Sequence, residues 1–405
     1  MTNRIYAMTP LAVLVLAVLA QAQTFTTLYN FTGGKDGGEP YAGVIQDLAG
    51  NLYGTTYYGG DLSCGIYGCG AVYEVNTAGT EIALHSFTGY PSDGEYPETP
   101  VARDRAGNLY GSSTGGGSGP CYQGCGTVFK IATSGNETVQ YSFTGGSDGG
   151  NPEQGLVVDK SGTVFGTTAY YGSSGDGTIF KVDSTRNFTL LHTFAGSPSD
   201  GANPMLGHLT IDKAGNLYGL TVKGGSSSEC AAWGCGALYK LSKKGTLTIV
   251  HSFAGGTSDG CEPYGSVVQD KAGNLYGATY GCGANSAGTI WKVSKKGKET
   301  ILHNFAGGSS DGCNPLVGVA RDSKGNLYGV SGCGAYGWGA LYKLSASRKL
   351  ILLQSFDNSG GSEPFGEVLR TTNGVLFGTI QYGGSYGTGR CGPMCPKPLL
   401  QVRGG

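Results

Sequence analysis

The chain has 405 residues, 27 basic and 28 acidic, with 76 glycines and 12 cysteines. The balanced charge argues against nucleic acid or an anionic membrane as partner, since either would call for a basic excess. So much glycine without a Gly-X-Y period points to low complexity or to many tight turns.

The N-terminus, "MTNRIYAMTPLAVLVLAVLAQAQ", has the layout of a secretory signal. Arg4 supplies the positive start, Leu11 to Ala20 the apolar stretch, and Ala20-Gln21-Ala22 a small-residue cleavage site. The apolar run is too short for a membrane anchor. Residues 1–22 are therefore expected to be removed, leaving a single domain over residues 23–405 that is secreted or periplasmic and has no membrane span. Export makes disulfides the default fate of the cysteines.

After the signal, "TFTTLYNF" (24–31) reads as one strand, and then a repeat takes over. Its units lie near residues 41–87, 97–143, 152–194, 204–253, 263–305, 315–356 and 364–403. "NLYG" or a variant begins at Asn51, Asn108, Thr163, Asn216, Asn274, Asn326 and Val375. A phenylalanine closes each phrase at Phe31, Phe87, Phe143, Phe194, Phe253, Phe305 and Phe356. Each unit holds four strand-like runs, in the third "GLVVD", "TVFGTT", "GTIFKV" and "FTLLHTF". β-Branched and aromatic residues fill the runs, and Gly, Asp, Asn and Ser punctuate them. No helical periodicity is present.

Four antiparallel strands repeated radially make a β-propeller blade (strands a to d, centre to rim), whereas a solenoid stack is the alternative that repeats of this length allow. The ends favour the ring. The last unit has first and second strands but no fourth, so strand 24–31 can complete it and remove two sheet edges. The expectation is an all-β, seven-bladed propeller. Units such as "ETVQYSFTGGSDGGNPEQGLVVDKSGTVFGTT" also resemble the Gloeo/Verruco tandem repeat of bacterial "choice-of-anchor" GloVer-containing proteins. That resemblance implies a propeller at the cell exterior or envelope. The chain departs from it in having no apolar C-terminal sorting tail and in ending on "GRCGPMCPKPLLQVRGG", where Leu399 to Val402 is the only candidate for the missing third strand.

A propeller places the d–a and b–c loops on one face and the a–b and c–d hairpins on the other. The irregular b–c and d–a loops are where binding residues usually lie. Three pairs, Cys64 with Cys69, Cys121 with Cys125 and Cys230 with Cys235, fall within b–c loops. Cys391 and Cys395 fall where the last such loop ends. None of the four pairs has zinc-knuckle spacing with histidine nearby, so each is expected to form a disulfide, Cys391–Cys395 included. Cys261 and Cys313 sit in d–a loops, Cys282 and Cys333 in the b–c loops of the same blades, which predicts Cys261–Cys282 and Cys313–Cys333 bridges.

The d–a phrase, D-G-x-[E/N]-P in most copies, has a plain structural reading: Asp caps the turn, Gly takes positive φ and Pro fixes the start of strand a. The residues before proline could instead form a polar ring near the channel mouth. These are Glu39, Asn151, Asn203, Glu262, Asn314 and Glu363, with Tyr96 in the second unit, and the ring would suit a sugar or a structural Ca²⁺. Tyr57, Tyr58, Tyr170, Tyr171, Trp233, Tyr280, Tyr382 and Tyr386 share that face and suit glycan stacking, or simply pack loop on loop.

Four histidines, His85, His192, His251 and His303, occupy one place in strand d and are expected to be packing residues. His208 breaks the repeat at the start of strand a, and Glu367 is the other ionisable residue in that series. They are the weak catalytic candidates, with blade 7 expected to lie nearly across the ring from blade 4, too far for direct contact. No nucleophile elbow, HExxH or P-loop is present. The sequence therefore reads as a non-enzymatic binding, adhesion or surface-structural module with a glycan or cell-surface partner, monomeric and without a required cofactor. A carbohydrate-active hydrolase or lyase using the same face is the alternative.

Overall fold

The computed structural model describes residues 24–357, 361–382 and 397–403. Within them the chain is all-β apart from two single turns of 3₁₀ helix, Leu62–Cys64 and Ala231–Trp233. The strands form seven antiparallel four-stranded blades, the sixth carrying one extra short strand, arranged as a seven-bladed β-propeller. Blade 3 is typical, with strands a to d at Val157–Val158, Val164–Thr168, Thr178–Val182 and Phe188–Thr193. Blade 7 runs Leu369–Arg370, Val375–Thr379, Lys397–Arg403 and finally Thr24–Phe31. The first strand of the chain is thus the outermost strand of the last blade, and "KPLLQVR" is its third strand. The predicted signal segment lies outside the described residues, as do Cys391 and Cys395.

The repeated phrases have specific packing jobs. The Gly of each "NLYG" faces an aromatic on strand c, as in Gly54↔Tyr73, Gly111↔Phe129 and Gly277↔Trp291. A Cβ on Gly111 would stand 2.3 Å from the Phe129 ring, so only glycine lets that ring lie across the sheet. The same ring then meets the phrase-closing Phe of the preceding blade. Centroids lie 4.9 Å apart for Phe87–Phe129, 5.0 Å for Phe143–Phe180 and 5.4 Å for Phe253–Trp291. Six of the seven closing phenylalanines are fully buried and Phe356 is 4 % exposed. Burying each is worth about 1.5–3 kcal/mol. The core is therefore seven seams between blades rather than one nucleus.

Seams are also stitched along the d–a and b–c face. The residue before each proline takes the left-handed conformation, with φ from 48° at Asn314 to 58° at Tyr96. Its N–H donates to the previous blade (Asn151 to the Cys125 carbonyl, 2.9 Å) and its carbonyl accepts from its own blade (Ala169 N–H, 2.9 Å). The proline ring then lies on the glycine that precedes strand c of the previous blade. A Cβ on Gly236 would meet Pro263 Cδ at 2.4 Å.

Candidate functional site

The short paired segments of each d–a and b–c loop build the candidate face. Gly260–Cys261 pairs with Gly281–Cys282, and Cys313 lies directly opposite Cys333. Cys261 is bonded to Cys282 and Cys313 to Cys333, closing 21 and 20 residues respectively. Cys64–Cys69, Cys121–Cys125 and Cys230–Cys235 close the b–c loops of blades 1, 2 and 4. Five of the six expected bridges are thus present, and the sixth, between Cys391 and Cys395, falls on residues outside the described ones. No free cysteine occurs among the described residues.

The pre-proline ring is largely occupied in holding the blades together. The side-chain amides of Asn151, Asn203 and Asn314 donate to the carbonyls of Thr114, Ala169 and Tyr280 on the preceding blades, at 2.9–3.0 Å. Asn tolerates the left-handed backbone this corner needs. Glu39 is buried, Glu363 half-buried, and Glu262 exposed to solvent.

The residue after each proline lies on the segment that leads into the innermost strand, and that ring differs from blade to blade: Tyr41, Glu98, Glu153, Met205, Tyr264, Leu316 and Phe365. Here the sevenfold pattern breaks. Burial pushes the Glu98 carboxyl up to about 7. Burial, with the neighbouring Glu98 charge, pushes Glu153 to about 8. Tyrosines surround the pair. Burial and then Glu98 raise Tyr57, while burial, Glu153 and Glu98 raise Tyr170. Tyr41 contacts Tyr57 at 5.3 Å and Phe365 at 5.7 Å, and Tyr57 stacks on Tyr96 at 4.9 Å. Tyr58 packs edge-on to Tyr57 at 4.7 Å, and Tyr280 edge-on to Tyr264 at 5.8 Å. Tyr382 joins them through Gln381, whose amide donates to its hydroxyl at 2.9 Å and also to that of Tyr41. Tyr171 is engaged against the Gly145 and Gly150 backbone. Trp233 stands apart, 66 % exposed, with the Lys223 ammonium 4.7 Å from its ring. Tyr386 lies outside the described residues.

Glu98 and Glu153 are not legible from the letters that the copies of the phrase share. The signal was the one column beside the proline that lacks a consensus.

One level deeper, His208 and Glu367 are in direct contact, which overturns the expectation that they stand too far apart. His208 Nδ1 lies 3.0 Å from Glu367 Oε2. Ser266 joins them: its N–H donates to Glu367 Oε1 at 2.7 Å, and its hydroxyl lies 2.7 Å from His208 Nδ1. The physical reason is the glycine content of this level. A Cβ on Gly43 would fall 2.5 Å from the Glu367 carbonyl, and one on Gly318 would fall 2.4 Å from that of Ser266. The inner strands close to backbone contact, and side chains from blades 4, 5 and 7 share the waist. Burial works to strip the proton from His208, but Glu367, by charge and hydrogen bond, outweighs it and holds the imidazole above its ordinary value. Glu367 is held below the ordinary carboxylate value. Burial acts against this, but the His208 charge and the hydrogen bonds from His208 and Ser266 prevail.

The strand-d histidines prove to be seam residues. His85, His192 and His251 place Nε2 within 3.1, 2.8 and 3.3 Å of Asp93, Asp200 and Asp259, and His303 lies 2.9 Å from Asp311. Tyr29 and Tyr141 fill the same place in other blades and donate to Asp36 and Asp148 at 3.0 and 2.9 Å. Since tyrosine substitutes, the role is hydrogen bonding rather than proton transfer. Glu137 and Glu299 close two of these corners, pushed up by burial to about 7 and about 8.

No functionally curated protein matches the chain at a significant level. Among solved structures, a gluconolactonase from Xanthomonas campestris is 14 % identical over 75 % of this chain and 84 % of its own, with a TM-score of 0.43. A luciferin-regenerating enzyme is 14 % identical over 75 % and 90 %, TM-score 0.43. A protein of unknown function from Dyadobacter fermentans is 10 % identical over 94 % and 98 %, TM-score 0.47. Likeness at this level carries no activity across. The model of the Gloeobacter/Verrucomicrobia repeat matches residues 13–233 and 227–396. The chain belongs to the Gloeobacter/Verrucomicrobia repeat family.

Proposed function

We propose that the protein is an exported binding module that takes a glycan at the channel mouth on the face of the b–c and d–a loops. One observation carries the reading: two neighbouring carboxyls, Glu98 and Glu153, break the repeat inside a cluster of tyrosines. Sugar hydroxyls pair with carboxyl oxygens, and sugar C–H faces lie on aromatic rings. A concave site with few convergent polar groups is where a ligand is best held. Five disulfides among the described residues suit an oxidising compartment.

The test is a glycan array probed with the parent protein and with Glu98→Gln, Glu153→Gln and Tyr57→Ala. Each variant should bind any hit about tenfold more weakly or worse. Unchanged binding by all three would remove the reading. The array is run with Ca²⁺ and again with a chelator. The mouth carboxyls are hard oxygen ligands of the kind Ca²⁺ takes, and loss of signal on chelation would put an ion in the site.

The same two carboxyls favour the alternative, a hydrolase on this face. With values of about 7 and about 8, one can hold a proton while the other is ionised near neutral pH, as general acid and base require. Release of reducing ends from an array hit, lost in both Gln variants, would select this alternative.

A further inference from the structure

Below the waist lies a second space. A cavity of ≈ 390 Å³ is lined by the inner strands of blades 1, 2, 3 and 7 on the side of the a–b hairpins, with His208 and Glu367 at its inner end. Its walls are mainly aliphatic, with Ile45, Ala102, Val157 and Leu369 among them, and Arg103 is the one guanidinium that lines it. A volume of this order accommodates a small organic molecule.

The polar end is unusually defined. Both Glu367 oxygens are taken, Oε1 by the Ser266 N–H and Oε2 by His208. The Ser266 hydroxyl accepts the His208 backbone N–H at 2.8 Å as well as facing Nδ1. The imidazole nevertheless keeps 43 % of its surface accessible, and Nε2 has no partner among the described residues. Glu367 fixes the proton on Nδ1, so in the cationic form Nε2 carries a charged donor with no protein acceptor among the described residues. A sugar would find few other hydrogen-bonding groups on these walls, and desolvating its hydroxyls would go uncompensated. An apolar body with a single anionic head fits instead.

We propose that this chamber is a second ligand site, separate from the mouth, that takes a small monocarboxylate with an apolar body, its carboxylate accepting the Nε2–H of His208. Arg103 adds positive charge on the path in. The ionisable groups around His208 are Glu367 from blade 7 and Arg103 from blade 2, with the Ser266 hydroxyl from blade 5. Gly43, Pro100, Gly155 and Gly318 contribute no ionisable group from the remaining blades. Affinity should therefore be highest below the imidazole's raised value and decline as the pH rises through it.

Calorimetry on the full protein with phenylacetate and isovalerate tests this, against phenylethyl alcohol as the neutral comparison. The acids should bind at least about tenfold more tightly than the alcohol, as a charge-assisted hydrogen bond requires. Ala102→Phe, which fills the chamber without touching the waist, should abolish binding. His208→Gln should weaken the acids about tenfold while leaving the alcohol unchanged. Glu98→Gln should leave all three ligands unaffected, which separates this site from the mouth. Equal affinity for acid and alcohol, unaltered binding in Ala102→Phe, or no binding of either acid would overturn the proposal.

Discussion

Glu153 shows how one side chain can cost stability for a site. Its carboxyl is held at about 8, against an ordinary value near 4.5, by burial and by the Glu98 charge. Between those values the folded chain keeps a proton that the unfolded chain has lost. Stability contributed by the protonated form is therefore complete at low pH and drains away as pH rises to the folded value. Glu153→Gln keeps the shape and removes the ionisation. It should match the parent near pH 4 and exceed it by up to about 4 kcal/mol near pH 8 in denaturant titrations. A variant less stable than the parent at the higher pH would mean that the ionised carboxylate is satisfied by a partner after all. Residues such as this were the hardest to read in advance. A repeat is recognised by what its copies share, whereas Glu98, Glu153 and the His208–Glu367 contact depend on what single copies do differently.

At the scale of the strand and loop, glycines that face another element differ from those that only turn the chain. Gly236 has a φ of 96°, and a Cβ there would also lie 2.6 Å from the Thr221 carbonyl besides striking the Pro263 ring. Gly135, in a c–d hairpin, has a φ of 87° with nothing within 4 Å of the added Cβ. Gly135→Ala should cost about 1 kcal/mol, the backbone term alone, whereas Gly236→Ala should cost about 3 kcal/mol by adding a clash with the next blade. Equal losses in thermal unfolding would show that the proline–glycine contact is not what locks the seam. The Cys261–Cys282 bridge acts at the same scale. Replacing both cysteines by alanine should remove about 3 kcal/mol, the closure entropy of a loop near 20 residues. Much of this layer was legible beforehand. Blade count, strand order and the closing strand follow from spacing, because each unit's hydrophobic alternation can be buried only against a neighbour. The partner of each glycine was not legible, since it depends on the angle between blades.

The ring as a whole gathers several buried carboxyls of the same sign of shift. Burial sets Glu81, Glu98 and Glu137 at about 7, and Glu153 and Glu299 at about 8. Each withdraws stability as pH climbs from the ordinary carboxylate range to those values. His208 and His251, both raised by carboxylate partners that outweigh burial, act in the same direction just above their unfolded value. The opposing set is the turn and corner aspartates. Asp93, Asp200 and Asp259 are lowered by histidine and backbone hydrogen bonds against the effect of burial, so their stabilisation is lost only as the medium becomes strongly acidic. The two sets leave the greatest stability near about pH 4 to 4.5, well below neutrality although the chain's net charge is close to zero. Calorimetric Tm should fall steadily from about pH 5 to pH 8 and level off above it. The decline should be shallower when Glu81, Glu137 and Glu299 are together replaced by glutamine, because these three lie in the outer seams and their removal leaves the mouth intact. A Tm that is flat or rising across that interval would sink the account. A decline that the triple variant leaves unchanged would assign it to Glu98, Glu153 and the histidines alone.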